Sequence, residues 1–380
     1  MTLESPPVDS SPARLPKRGW TRRLARGLLL VLGGCLVLGM TGWMTLAAYY
    51  ADLHGASPRI ILSVVLGVAS LSAVIFIRPR RRGLMIFAIV FASVLVWFFS
   101  IRPSNARNWC ADVAVLPYAT IAGDLVHLHN IRNFNYRSET DFDPAYYDRT
   151  FDLSRLQACD LVLSYWSGRA IAHAFLSFGF EDGGYVAISI ETRKEKSEHY
   201  SAVEGFFRQY ELIYVVADER DLIRLRTNYR NEDVYLYRTR PPPEKLRAVF
   251  LDYLRTINFL RDHPRFYNAL TENCTTSIFA HLRCAPPYPP FTIGVLLSGY
   301  SAQYAYESGG LDHSMTFEEL ERRGHINDLA RQADQSADFS QRIRARLTTP
   351  RNDAALDSVS PSGAVGPQAL SAVESARRGD

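Results

Sequence analysis

IAHAFLSFGFEDGGYVAISIETR, residues 171–193, reads as two strands joined by a turn. On either side of Glu181–Asp182–Gly183–Gly184 the residues are apolar, aromatic or β-branched, in runs of strand length, and the acidic-glycine step between them is a turn signal. The same texture surrounds it. LVLSYW (161–166), YELIYVVAD (210–218) and DVYLYRTR (233–240) are short apolar runs bounded by Gly, Asp or Asn, and DVAVLPYATIAGDLVHLHNIRNFNY (112–136) alternates about a Gly123–Asp124 turn. Strands in such succession predict a mostly antiparallel sheet. Helices follow it. PPPEKLRAVFLDYLRTINFLRDHP (241–264) opens on prolines, stops before Pro264 and places Leu246, Val249, Phe250, Tyr253, Leu254, Ile257 and Leu260 on one stripe. CTTSIFAHLR (274–283) is a second helix, ended by the prolines of 286–290, and residues 317–347 form a polar helical region. Strands first and helices afterwards make an α+β domain, spanning about 108–347.

Three apolar stretches precede this domain: Gly27–Tyr50, Ile60–Ile77 and Gly83–Ile101. Each approaches the ~20 residues needed to cross a hydrocarbon core, and none carries an internal charge. Lys17, Arg18, Arg22, Arg23 and Arg26 precede the first, and Arg78, Arg80, Arg81 and Arg82 separate the second from the third. The positive-inside rule then puts the N-terminus in the cytoplasm and everything after Ile101 on the far side, which for a bacterial inner membrane is the periplasm. Trp43, Tyr49, Tyr50, Trp97, Phe98 and Phe99 suit an interfacial belt. A cleaved signal peptide, or a lipoprotein cleavage site at Cys35 in LGGC, fits less well, because apolar sequence continues past Cys35 and two more spans follow. Residues 1–26, basic and rich in Pro and Ser, and 348–380, rich in Pro, Ser, Ala and Asp, are expected to be disordered.

The 380 residues carry a modest net charge of +4. There is no Gly-rich phosphate loop, paired-cysteine zinc pattern or HExxH helix, so neither cofactor, metal nor nucleic acid is expected. The chemistry-bearing residues lie in the outer domain. Cys274 stands in a polar ENCTT turn, where Asn273 can cap the following helix. The positive end of a helix lowers a thiol's pKa, and its N–H groups can receive an oxyanion. A free cysteine is usually a small buried residue, but the polar setting of Cys274 argues otherwise. His173 lies in a strand among apolar neighbours, where a histidine by itself is more often a core residue. With a helix-start cysteine it becomes the base of a thiol nucleophile. Glu191, on the next strand, can orient the imidazole, unless it forms a strand-end ion pair with Arg193, which shares its face. Arg193, Asn273, Thr275 and Tyr267 are candidates for contacting substrate or oxyanion.

Weaker signals remain. His127 and His129 share a strand face, as metal ligands could, but no third ligand suggests itself and a solvent-facing pair is expected. ADERDLIRLR (217–226) reads as a salt-bridged surface or a support for the site. The aromatic and charged stretch 130–148 either lines a substrate groove, with Phe134 and Tyr136 exposed to it, or packs against the sheet. Of five cysteines, Cys110 and Cys159 could pair in an oxidising compartment, leaving Cys284 free.

Taken together, IAHAFLSF, SIETR, DERD and ENCTT, with flanking segments from Trp109 to Leu347, resemble the Lnb N-terminal periplasmic domain family. That family looks related to circularly permuted papain-like or NlpC-like thiol enzymes, in which the histidine strand precedes the cysteine helix, as here. The resemblance implies Cys274 as nucleophile, His173 as base and Glu191 as the third polar member. It also implies an association with lipoprotein N-acylation. The expected function is therefore a membrane-anchored thiol acyltransferase, with membrane lipid as acyl donor and a lipoprotein or peptide as acceptor. A cysteine peptidase or amidase of the cell envelope, and a non-enzymatic envelope-binding module, are the alternatives.

Overall fold

The computed structural model describes residues 18–50, 56–166 and 168–348. Expectations for residues 1–17 and 349–380 lie outside the described residues; residues 18–26, expected to be disordered, instead extend the first helix. That helix, α1 (Arg18–Tyr49), is followed by α2 (Ala56–Phe76) and α3 (Arg80–Ser100). All three are long and apolar enough to cross a membrane. Leu28, Leu29, Ile61, Val65, Ile89 and Val96 face outward, which suits hydrocarbon and would be unfavourable against water. Met44, Phe87 and Val94 pack between the helices.

The outer domain is built on a mixed sheet. Its strands are β1 (Tyr118–Ala122), β2 (Leu125–Arg132), β5 (Tyr146–Asp152), β6 (Leu156–Tyr165), β7 (Ala172–Phe180), β8 (Tyr185–Arg193), β9 (Glu211–Ala217) and β10 (Asp233–Arg238). Short β3 (Asn135–Tyr136) and β4 (Phe142–Asp143) form a separate ribbon. Among the described residues the order is β1-β2-β9-β8-β7-β6-β10, with β5 also on β2. The expected antiparallel pairing holds throughout except where Arg132 meets Ala217, a parallel contact that joins the β1-β2-β5 sheet edge to the rest.

Both faces are covered. Alternate residues Ala174, Leu176 and Phe178 of β7, with Ile188 and Ile190 of β8, face α5 (Pro243–Asp262) and α6 (Cys274–Leu282). The intervening set, including Phe175, Ala187 and Val215, faces α4 (Glu219–Arg224) and the segment around Ile326, Ala330 and Phe339. The predicted stripe of α5 is buried at every position. The polar region 317–347 breaks into short helices, because Gly324 packs where a Cβ would meet the Leu236 carbonyl at 2.9 Å, and Asp334 takes a positive φ of 28°.

All five thiols are free, so the possible Cys110–Cys159 bridge is not formed. Cys159 belongs to the core on the α5 side of the sheet and Cys110 packs on the opposite side, so the sheet separates them.

One segment fixes the domain onto the membrane helices. Phe207 is buried with Ala47 and Phe98, and its ring stacks on Tyr50 at 5.5 Å. Arg208 adopts φ 57° and donates to the carbonyls of Phe98, Phe99 and Ile101. It thereby satisfies carbonyls that the end of α3 leaves without intrahelical partners.

Candidate active site

β7 and β8 pair only from Phe175↔Ser189 to Gly179↔Tyr185. Beyond that point they diverge: Ala172–Ala174 stay with β6, and Ile190–Arg193 stay with β9. The start of α6 fills the opening. The Cys274 thiol enters beside the His173 ring and the backbone N–H of Ala174.

The helix start is firmly capped. The Asn273 side-chain oxygen accepts from Thr276 N at 2.9 Å and from the Thr275 hydroxyl at 3.0 Å, while Thr276 Oγ1 accepts from Asn273 N at 3.0 Å. Asn273 Nδ2 donates to the Ala269 carbonyl at 2.8 Å. This capping box fixes Cys274 at the first helical position, where the macrodipole favours thiolate. It also corrects a sequence expectation, because the side chains of Asn273 and Thr275 are committed to the cap rather than aimed at substrate. The first-turn N–H groups of Cys274 and Thr275 have no partner within the helix and remain the better oxyanion donors.

On the other side of the imidazole, His173 Nε2 lies 2.6 Å from Ser189 Oγ and 3.3 Å from Glu191 Oε1. Ser189 donates to Glu191 Oε1 at 2.7 Å, so it accepts from Nε2–H. This leaves Nδ1 to face the thiol. Glu191 does not pair with Arg193; it receives Arg226 Nη2 at 2.8 Å. The Arg226 guanidinium lies over the Phe175 ring at 5.1 Å and comes from a π-helical turn, Leu225–Tyr229, a distortion frequent at functional sites. Phe134 and Tyr136 are buried with Leu225 beneath that turn, so they support the site and do not line a groove.

The charges reinforce one another. Burial most strongly opposes a charged imidazole, but the Glu191 charge together with the hydrogen bonds of Cys274 and Glu191 outweighs it, and His173 is pushed up to about 9. Burial would raise the Cys274 thiol; the hydrogen bond and charge of His173, with the Ala174 N–H, bring it below its ordinary value instead. Burial likewise works against the Glu191 carboxylate, yet His173 and Arg226 hold it well below the usual range. The shifts of the two groups run in the directions that favour a thiolate–imidazolium pair over the neutral thiol and imidazole.

Two tyrosines feel the charge of the sulfur. Burial first, and then the negative charge of Cys274, raise the phenols of Tyr267 and Tyr200. Tyr200 meets Trp166 edge-on at 6.2 Å, and Trp166 lines a cavity of about 510 Å³ with Tyr165, Arg169, Arg230 and Glu232. Arg193 takes no part. Its guanidinium donates to Val113 O, Ala114 O and Asn105 Oδ1 and covers the Trp109 ring at 4.3 Å, tying the segment after α3 to the sheet.

Residues 142–299 match the Lnb N-terminal periplasmic domain. The match contains His173, Ser189, Glu191, Arg226 and Cys274. No curated protein and no solved structure matches the chain. With three apolar helices before the Lnb-type region, this is a membrane protein with a periplasmic domain.

The structure brings together three residues named from the sequence, His173, Glu191 and Cys274, and adds two that were not, Ser189 and Arg226. Ser189 is legible in retrospect, since it precedes Glu191 by two and so shares its strand face. Arg226 lay in the stretch read as salt-bridged, but only the π-turn selects it from its charged neighbours. The His127–His129 pair also acquires a third potential ligand, Asp148, contrary to expectation.

Glu191→Gln offers a test of the electrostatics. A thiol enzyme built on this pair would need the imidazolium to protonate its leaving group, so its turnover would fall as pH rises through about 9. Removing the carboxylate charge leaves burial and Arg226 to lower the His173 pKa, so the alkaline limb should move to lower pH. Turnover at the optimum should drop by about 10²-fold or more. A pH–rate profile of the variant reads both effects.

Proposed function

We propose that the chain is a membrane-anchored, cysteine-dependent acyltransferase that uses Cys274 to move an acyl group from membrane lipid to an amine. The thiolate sulfur bonds to the ester carbonyl carbon of the donor, the first-turn N–H groups of α6 receive the oxyanion, and the departing alkoxide takes the proton of His173. A Cys274 thioester and a lysolipid result. An acceptor amine then attacks the thioester carbonyl, His173 takes its proton, and the Cys274 thiolate leaves as the amide forms. The N-terminal amine of a lipoprotein cysteine is the acceptor that a site at the membrane surface suits.

The observation that carries this reading is the Cys274–His173 contact, backed by Glu191 and Arg226, in a domain seated on apolar helices. Tyr200, whose phenol feels the Cys274 charge, and Phe207, packed on the helices, belong to one segment, which supports access from lipid. The histidine-before-cysteine order supports a permuted papain-like ancestry. In this reading the N-terminus is cytoplasmic, the membrane is the inner one, and the domain works in the periplasm.

The charged lining of the cavity, with Glu139, Arg169, Arg230 and Glu321, favours a peptide-like acceptor. Water in that place would make the same pair a peptidase or amidase. Expression in a bacterial host lacking lipoprotein N-acyltransferases separates the two. The transferase predicts lipoproteins that gain an amide-linked acyl chain, read by mass spectrometry of their N-terminal peptides. Unchanged lipoproteins, with cleavage of envelope peptides by the purified chain, would favour the hydrolase.

A further inference from the structure

Between β2 and β5, away from the thiol, His127, His129 and Asp148 place one ligand atom each within 4.8 Å of one another. Their arrangement follows from a local irregularity. The β2–β5 register runs Leu125↔Asp152 to Leu128↔Arg149, then shifts before Ile131↔Tyr147, so His129 and Asn130 together oppose Asp148. Asn130 takes up the extra residue with φ 61°. Such bulges re-aim side chains, and positive φ at a non-glycine residue is uncommon. Val126 and Leu128 point into the core, so the alternate residues His127 and His129 stand on the other face, within reach of Thr150 and Asp148.

Each ligand is oriented by a second partner. Asp148 Oδ1 accepts from Asn130 N at 2.9 Å, which leaves Oδ2 for His129 Nδ1 at 2.8 Å. His127 Nδ1 bonds Thr150 Oγ1 at 2.8 Å, which turns Nε2 toward Asp148 Oδ2 at 3.9 Å. The His129 ring is stacked flat on Tyr118 at 4.1 Å. Hydrogen bonding through the second ring nitrogen, and anchoring of the free carboxylate oxygen, are the outer-shell contacts that metal ligands use.

We infer that His127 Nε2, His129 Nδ1 and Asp148 Oδ2 form a binding site for a borderline divalent cation of the zinc class. Tetrahedral coordination at about 2.0–2.2 Å sets ligands about 3.3 Å apart, so the pairs at 2.8 and 3.9 Å need to adjust by roughly half an ångström. Two imidazoles and a carboxylate suit zinc or cobalt better than magnesium or calcium. Three protein ligands leave a fourth position open toward solvent.

The test uses the full chain, purified in detergent, stripped with chelator and titrated with Zn²⁺ and Co²⁺. One cation should bind with a cobalt spectrum free of thiolate charge transfer, and Zn²⁺ should raise the unfolding temperature. The His127→Ala/His129→Ala variant should lose both responses while unfolding normally without metal. Thr150→Val, which touches no ligand atom of the ion, should weaken Zn²⁺ about 10-fold. Absence of binding by the wild type, binding undiminished in the double variant, or a cobalt spectrum dominated by thiolate would each overturn the site.

Discussion

Replacing Cys274 by Ala is expected to lower acyl transfer on the order of 10⁴-fold or more, and His173→Ala should come close to the same loss. The reason is that neither group is useful alone. Without His173 the buried thiol loses the hydrogen bond and charge that bring its pKa down, and burial alone drives it up. Without Cys274 the imidazolium has nothing to protonate. The double variant should therefore be scarcely worse than either single one, and the three rates measured side by side reveal that non-additivity. Cys274 alkylation gives a second readout. At neutral pH iodoacetamide should react readily with the wild type and far more slowly with His173→Ala, whereas a purely structural cysteine would show no such dependence.

The second large effect concerns stability. Arg344 donates to Glu219 through Nη1 at 2.8 Å and Nη2 at 2.5 Å, and to Asp160 through Nε at 2.8 Å. Glu219 and Asp160 have no solvent exposure. Arg344→Met should cost about 3–5 kcal/mol, because it leaves Glu219 buried without its cation, while Asp160 keeps Arg238. Burial raises the Glu219 pKa and Arg344 more than reverses it, so the folded value lies below the ordinary one. That stabilisation is complete above the unfolded glutamate pKa and is lost as pH falls through the depressed folded value. The deficit of Arg344→Met should accordingly shrink in acid, as urea unfolding at several pH values will show. Function should suffer too. Glu219 begins α4, which continues directly into the π-turn bearing Arg226, so the end of the domain braces the residue that holds Glu191.

How much of this was legible depended on range. The apolar spans announce themselves by composition, and the α5 stripe by its spacing, because each is a property of contiguous sequence. His173, Glu191 and Cys274 were recognisable as types in suitable local settings. Their convergence required β7 and β8 to part beyond Phe175↔Ser189 and α6 to enter the gap, which no local pattern encodes. Arg193 shows the opposite failure. Sharing a strand face with Glu191 suggested a role at the site, but the carbonyls of Val113 and Ala114 lie much farther back along the chain and claim it. Asp148 was invisible for a related reason: it reaches the two histidines through a bulged register between strands, and one residue of slip would turn it to the other face.

The central claim is that Cys274 carries the acyl group. Its most direct test is to incubate the full-length chain, without acceptor, with phospholipid bearing a labelled acyl chain, and to locate the label by peptide mapping. Label is expected on Cys274, released by neutral hydroxylamine as a thioester should be, and missing from Cys274→Ala. Label that persists in Cys274→Ala, resists hydroxylamine, or never reaches Cys274 while acyl transfer proceeds would contradict it.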